Sequence, residues 1–373
     1  EIDASYEGRD DGFIYSQAGK DIWRSTGIYA PAGEVISITL PEGAIGLGLS
    51  VQIGSHTDEL WKKDEWERFP EITRAWQLET NQTEAASSFG GLVYIRVPEG
   101  LNLGEITVEI DGGVLAPRYI LGETSEPAWL DTIRHYPGPW AEFESDSLII
   151  TVPSADAINV DNPEDLMLLW EQVMDMSADL ASIEQARVRP ERIVFDEQIS
   201  GGALHSGYPV MGHTHHVDGI IDLDALRAEG NWGAIHELGH NHQWRDWILP
   251  GTTEATCNLW SVYISEELLS IDRADAHSNL TDLERAERIS TYIDAGANFE
   301  DEWKVWTALE TYLQLQQNFG WAAFKELNNI YYSIDDKDAP STDQERIDLF
   351  VQTFSEVTEK DLGFFFTEWG FPI

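Results

Sequence analysis

Apolar and polar residues alternate over short runs in the first third of the chain, and a period of two marks strands with one buried face. Such runs cover Val35 to Leu40, Leu47 to Ile53, Gly91 to Val97 and Glu105 to Ile110. Pro41-Glu42-Gly43 and Pro98-Glu99-Gly100 sit between them and favour turns. Repeated short strands with this punctuation predict a β-sandwich-like N-terminal domain over residues 1–122. A junction follows, rich in Pro and Trp (Pro127-Ala128-Trp129 and Pro137-Gly138-Pro139-Trp140), and it reads as packed because exposed Trp is costly.

The period then changes. A strand from Ser147 to Val152 leads to a helix that Asp161 or Asn162 can cap ahead of Pro163, with Leu166, Leu169, Trp170 and Val173 on one face. Arg192 to Phe195 reads as another strand. Beyond residue 230 apolar residues recur every three or four positions, as in Trp303, Trp306, Leu309, Tyr312 and Leu313. The expected helices are about 231–245, 253–268, 282–294, 301–317, 320–332 and 342–357. The chain is therefore expected to be α+β, with residues 123–373 forming a second domain that starts as mixed α/β and becomes helical. It carries no internal repeat and no low-complexity tract.

Composition narrows the function classes. With 42% hydrophobic and 11% aromatic residues over 373 positions, the chain can build a large core. A formal net charge of −44 argues against nucleic acid and against anionic membrane surfaces, both of which would be repelled. No apolar run approaches the roughly 18 residues of a membrane span. The acidic excess suits high salt, where self-repulsion is screened, and so suggests a marine or halophilic source. Glu1-Ile2-Asp3-Ala4 carries no export signal, so a secretory signal peptide is expected to have been removed. Cys257 is the single cysteine, so no intrachain disulfide can form, and it reads as a small buried apolar residue. Sequons at Asn81 and Asn279 would matter only in a host that glycosylates them.

The stretch Gly233-Ala-Ile-His-Glu-Leu-Gly-His-Asn-His-Gln243 carries the chemistry. On a helix, His236 and His240 share one face, the spacing at which two imidazoles grip one zinc ion. Glu237 lies beside such a metal without ligating it and is placed to act as general base on a zinc-bound water. After the turn at Pro250-Gly251, Glu254 opens the next helix and supplies a third ligand, leaving a fourth position open. Asn258, one turn later, and Asn241, His242 and Gln243 are candidates to orient those ligands. Tyr208 is a candidate donor to a developing oxyanion, with ordinary packing as the alternative. His213-Thr-His-His216 offers a rival metal cluster but lacks a carboxylate base.

Trp232 to Gln243, followed by Thr252-Thr-Glu-Ala-Thr-Cys-Asn-Leu-Trp-Ser-Val-Tyr263, resembles the enhancin-like, mucin-targeting zinc peptidases, a gluzincin family. Thr26 to Gly33, Ile53 to Asp58, Phe89 to Gly91, His205 to Pro209 and Trp369 to Pro372 are also similar to that family, so the resemblance spans most of the chain. It implies a β-rich domain ahead of a mainly helical gluzincin domain, Zn2+ on His236, His240 and Glu254, and hydrolysis of peptide bonds in O-glycosylated, mucin-type proteins. It implies action on glycoprotein; a monomeric enzyme, secreted or at the cell surface, is expected, and the charge and hydropathy leave no nucleic-acid partner and no membrane insertion. The alternatives are a gluzincin that cleaves unglycosylated peptides and a non-catalytic glycan-binding protein.

Overall fold

The computed structural model describes residues 1–8, 13, 15, 20–244 and 248–373. They fall into two compact units, one of Glu1–Asp10, Gln17–Glu171 and Ala186–Leu223, the other of Asp11–Ser16, Gln172–Gln185 and Asp224–Ile373. The architecture is mixed, with sheets early and helices late, as the periodicity predicts.

The first unit begins with β1 (Ile2–Tyr6), β2 (Ile22–Ala30), β3 (Val35–Thr39), β4 (Ser50–Ile53) and β5 (Arg74–Gln77). It continues with β6 (Gln82–Ala86), β7 (Gly91–Val97), β8 (Leu101–Ile106), β9 (Glu109–Asp111) and β10 (Val114–Leu115). These strands make a five-stranded sheet in the order β10-β2-β7-β4-β5, a three-stranded sheet β6-β3-β9 and the pair β1-β8. One apolar core joins them, with Ile36 and Ile38 of β3, Val51 and Ile53 of β4 and Val93 and Ile95 of β7 all fully or almost fully buried. Strand β7 is central and reads as a near-continuous apolar run; β3 keeps the in-and-out alternation that reveals it in the sequence.

Two expected strands differ from the structure for identifiable reasons. The run from Leu47 begins to pair only at Ser50, because Gly46 and Gly48 hold φ of 70° and 86°, turn conformations that break an extended chain. The run from Glu105 to Ile110 is divided, since β8 pairs with β1 whereas β9 pairs with β3. Strands β1, β2, β5 and β6 lie outside the runs picked out by alternation.

The same unit also holds a six-stranded mixed sheet. Its strands are β11 (Arg118–Ile120), β12 (Trp140–Glu144), β13 (Leu148–Pro153), β14 (Glu191–Asp196), β15 (Leu204–His205) and β16 (Val210–His213), in the order β11-β12-β13-β14-β16-β15. The junction is packed, as expected: Trp129 is fully buried and its indole N–H donates to the Val160 carbonyl at 2.8 Å. Helix α1 (Pro163–Ala181) starts where Asn162 accepts from the Asp165 amide at 3.3 Å.

The second unit is helical. Its main elements are α2 (Trp232–His240), α3 (Thr253–Thr256), α4 (Asn258–Glu267), α5 (Asp282–Asp294), α6 (Val305–Tyr332) and α7 (Asp343–Thr358). Gly320 interrupts α6 with φ 74° and ψ 173°, so the two helices expected there meet at a glycine kink. Trp260, Trp303, Tyr312, Phe350 and Phe366 are buried in this unit. Glu310, fully buried, is held by Arg285 at 3.0 Å and Arg288 at 2.7 Å. No helix is long and apolar enough to cross a membrane among the described residues.

Candidate metal centre

Helix α2 starts cleanly and stops early. The Asn231 side chain caps its first turn, accepting from the Ala234 amide at 2.8 Å. Its expected last residues turn instead, with the His242 amide donating to Gly239 O and the Gln243 amide to His240 O, the tighter pattern of a helix end. Residues 245–247, the remainder of that expectation, lie outside the described residues. The early stop folds the Gln243 side chain back onto His240.

Close packing brings the next helices up to this one. A Cβ on Gly239 would sit 2.5 Å from the Cys257 carbonyl oxygen, so only glycine allows α2 and the α3–α4 junction to approach this far. As a result the His236 and His240 Nε2 atoms lie 3.1 Å apart, and Glu254 Oε2 lies 3.2 Å from the first and 3.3 Å from the second. Three donors on a tetrahedral cation, at bond lengths of about 2.0–2.1 Å, would be separated by about 3.3–3.4 Å. The triangle fits a metal ion of that kind.

The protonation pattern gives an independent test of fit. Asn258 Nδ2 donates to the Glu254 carbonyl at 2.7 Å, and Trp232 Nε1–H donates to Asn258 Oδ1 at 3.1 Å, which fixes the amide with its oxygen towards His236. His236 Nδ1 lies 2.7 Å from that oxygen and must therefore carry the proton it donates. Gln243 Nε2 donates to the Thr253 carbonyl and to Thr256 Oγ1, both at 2.6 Å, so its oxygen faces His240 Nδ1 at 2.7 Å. Both neutral imidazoles thus turn lone pairs on Nε2 towards a carboxylate oxygen. Three acceptors that close repel one another unless positive charge sits among them.

The titration of the site says the same. Burial pushes His236 down, but hydrogen bonding to Glu254 and Asn258 and the charges of Glu237 and Glu254 outweigh it and raise it above its ordinary value. Hydrogen bonding to His236 and then His240 holds the Glu254 carboxyl far below the usual range, against its partial burial. Glu237 follows His236 on the helix and is buried. Among the described residues this is the one cluster of three or more side chains able to hold a metal.

Cys257 belongs to the cluster by proximity, but its orientation does not suit a ligand. A thiolate sharing a cation with His236 Nε2 would lie about 3.6 Å from Nε2 and about 5 Å from Nδ1, given metal–sulfur and metal–nitrogen bonds of about 2.3 and 2.1 Å. Its Sγ is 3.4 Å from Nδ1 and 3.6 Å from Nε2, against the flank of the ring. It is a buried packing residue, as its sequence setting suggests, and its thiol is pushed well up by burial and then by the charges of Glu254 and Glu237.

The sequence candidates separate accordingly. His236, His240, Glu254 and Asn258 converge. Tyr208 belongs to the other unit, buried with its hydroxyl 3.5 Å from the Trp23 amide and Arg189 stacked 3.8 Å over its ring. His213, His215 and His216 stack side by side, with ring centroids 5.1 and 4.2 Å apart, and do not converge with a carboxylate. The tyrosine beside the histidine pair is Tyr15, whose ring meets His240 edge-on at 5.2 Å. Nothing in the local sequence around Tyr15 points to this, because the contact joins positions far apart in the chain. Trp232, whose indole orients Asn258, was not singled out, although it precedes His236 by four residues and that spacing places it on the face of both histidines.

Comparison with known proteins agrees with this geometry. Residues 112–370 match the description "Peptidase M60, enhancin and enhancin-like", and residues 14–111 match the N-terminal domain of M60-like peptidases. The chain belongs to the M60 peptidase family. It is 46% identical over 354 residues to TRPM8 channel-associated factor 2 of Bos taurus, covering 95% of this chain but 38% of that protein. The M60 chain thus spans well under half the length of this curated relative. Among solved structures, a conserved protein of unknown function from Bacillus anthracis str. Ames superposes with a TM-score of 0.78 at 21% identity, covering 96% of this chain and 71% of that one. The M60 catalytic domain of Clostridium perfringens ZmpC, solved with the sialyl T antigen, gives a TM-score of 0.73 at 14% identity over 100% of this chain and 77% of that one. Likeness at identities this low establishes the shared fold alone.

Proposed function

We propose that the chain is a zinc-dependent endopeptidase that hydrolyses peptide bonds in O-glycosylated, mucin-type proteins. The observation that carries this reading is the triangle of His236 Nε2, His240 Nε2 and Glu254 Oε2, with both imidazoles pinned in one tautomer. Zinc bound there would polarise a scissile carbonyl and lower the pKa of water towards about 7. Glu237 takes the proton from the attacking water and returns it to the departing amine. Asn258 and Gln243 hold the imidazoles in register through that cycle. The substrate class is supported by the fold shared with ZmpC, whose structure holds a sialyl T antigen. Such substrates lie outside the cell, so this reading entails export or display at the surface.

The test is digestion of an O-glycosylated mucin before and after enzymatic removal of its O-glycans, with wild type and Glu237→Gln side by side. Fragments from wild type alone, lost on deglycosylation, are expected. Cleavage indifferent to the glycans would favour a gluzincin of unglycosylated peptides. A second reading, a non-catalytic partner of a membrane channel, is favoured by relatives named as TRPM8 channel-associated factors. It predicts about one metal per chain, or none, with no proteolysis of any of these substrates.

A further inference from the structure

Hydrolysis of an amide builds negative charge on the scissile carbonyl oxygen, and a donor held where that charge appears is among the largest single contributions a site can make. Around the donor triangle nearly every strong donor is already committed. His236 Nδ1–H goes to Asn258 Oδ1 and His240 Nδ1–H to Gln243 Oε1, both at 2.7 Å. Asn258 Nδ2 goes to the Glu254 carbonyl, Gln243 Nε2 to Thr253 and Thr256, and Trp232 Nε1–H to Asn258. The Cys257 thiol is a weak donor and lies against the flank of His236. His277 keeps one N–H, since its Nδ1 accepts from the Asn279 amide at 3.1 Å. Its ring, however, packs on Trp306 at 4.5 Å and Trp232 at 4.8 Å instead of on a ligand.

Tyr15 is the exception. It is half-buried, with its ring edge-on to His240 and the centroids 5.2 Å apart. After burial, the charge of Glu254 acts most on its phenol, so the hydroxyl lies within the field of the third ligand. That hydroxyl makes no hydrogen bond to any described residue. Anchoring of the segment does not require it. Phe13, two residues earlier, pairs with Trp244 in an antiparallel bridge, and its ring lies 4.5 Å from Trp244 and 5.7 Å from His242. Phenylalanine serves in that place and would fill the space beside His240 equally well, so the Tyr15 hydroxyl calls for a chemical reason. We propose that Tyr15 is a catalytic residue whose hydroxyl donates a hydrogen bond to the oxyanion that forms on the scissile carbonyl. The role for which sequence offered Tyr208 thus passes to Tyr15. The proton stays on the phenol: the hydrogen bond tightens as water adds to the carbonyl and relaxes when the C–N bond breaks and C=O re-forms. Glu237 carries the proton from the water to the amine. This assignment rests on the peptidase reading.

The test compares zinc-loaded wild type with Tyr15→Phe, which keeps the ring against His240 and removes only the hydroxyl. On an O-glycosylated mucin peptide kcat should fall about 100–1,000-fold, the cost of losing one oxyanion donor, with KM changed by less than about twofold. A readout independent of turnover is the Kd of methylphosphonate, a tetrahedral anion, by calorimetry, and Tyr15→Phe should weaken it at least about tenfold. Zinc affinity should not change, because the hydroxyl bonds to no ligand. Wild-type turnover or wild-type methylphosphonate affinity in Tyr15→Phe would overturn the assignment. So would a wild type that ignores methylphosphonate at about 50 mM. Loss of zinc from Tyr15→Phe would also overturn it, by making the hydroxyl a support of the metal site. Absence of cleavage by wild type itself would instead sink the peptidase reading, and this assignment with it.

Discussion

Gly239 is the position where packing and chemistry meet, and Gly239→Ala separates them. The added Cβ would lie 2.5 Å from the Cys257 carbonyl oxygen, about 0.9 Å inside ordinary contact. The nearby Cys257 carbonyl carbon and Cα, at 3.2 and 3.3 Å, block any sideways escape. Helix α2 must therefore move from the α3–α4 junction by a substantial part of an ångström. In stability the effect is modest: overpacking costs about 1–3 kcal/mol, and alanine returns up to about 1 kcal/mol of helix propensity. At the donors the effect is large. His236 and His240 ride on α2 while Glu254 rides on α3, and metal sites tolerate errors of only about 0.2 Å. Zinc affinity is expected to fall at least about tenfold, the low end of what loss of outer-shell support costs. Competition against a chelator of known affinity gives the metal constant, and a thermal melt of the metal-free protein gives the stability. A Gly239→Ala variant with wild-type zinc affinity would refute the claim that this contact sets the donor triangle.

Four further outcomes follow from the same geometry. Glu237→Gln should abolish mucin cleavage while retaining about one zinc per chain by elemental analysis; loss of the metal would show that Glu237 holds the site together instead. Asn258→Leu should cost about 10–100-fold in zinc affinity with less effect on the melting temperature, and an unchanged affinity would remove Asn258 from the ligand support. Burial pushes the Asp58 carboxyl up, but the hydrogen bonds from His205 and Ser200 outweigh it and hold it below its ordinary value. That contribution is complete above the unfolded value near 3.9 and lost as pH falls through the folded one, so Asp58→Asn should flatten the acid limb of stability below about pH 4. With a net charge of −44, the melting temperature should rise with NaCl as the Debye length falls from about 10 Å at 0.1 M to about 3 Å at 1 M; a flat response would discard the high-salt reading.

How much was legible depended on whether information was local. Helix α5 and strand β7 match their expected runs residue for residue: β7 is a short apolar run bounded by turn residues, and in α5 Thr281 caps the first turn while Ile289 and Tyr292 keep helical spacing. Strands β5 and β6 show mostly exposed residues, and nothing in their composition separates them from loop; only pairing with β4 and β3 makes them strands. At the site, His236, His240 and Glu254 were readable from spacing, and Asn258 from its position one turn on. Gln243 was readable only as one of several polar neighbours, because its role follows from the helix stopping at His240 and not at residue 245. The place of Tyr15 beside His240 depends on a contact between distant parts of the chain, and no local pattern encodes it.

The peptidase and channel-partner readings make different demands on the fold, and the hydrogen bonds weigh between them. A domain kept only as a docking body has no need to hold two imidazoles in a chosen tautomer. Without a cation the arrangement is costly, since it directs two lone pairs and a carboxylate oxygen at each other from 3.1–3.3 Å. A metal-free site can relax by protonating His236, which the nearby carboxylates favour, or by an amide flip at Asn258 or Gln243 that lets Nε2 carry the proton and donate to Glu254. Three fixed contacts oppose those flips, from Asn258 to the Glu254 carbonyl and from Gln243 to Thr253 and Thr256. The polar frame thus spends its hydrogen bonds on keeping the site acceptor-rich. That favours a chain whose working state includes the metal, and it leaves proteolysis by the metal-loaded chain as the measurement on which the two readings divide.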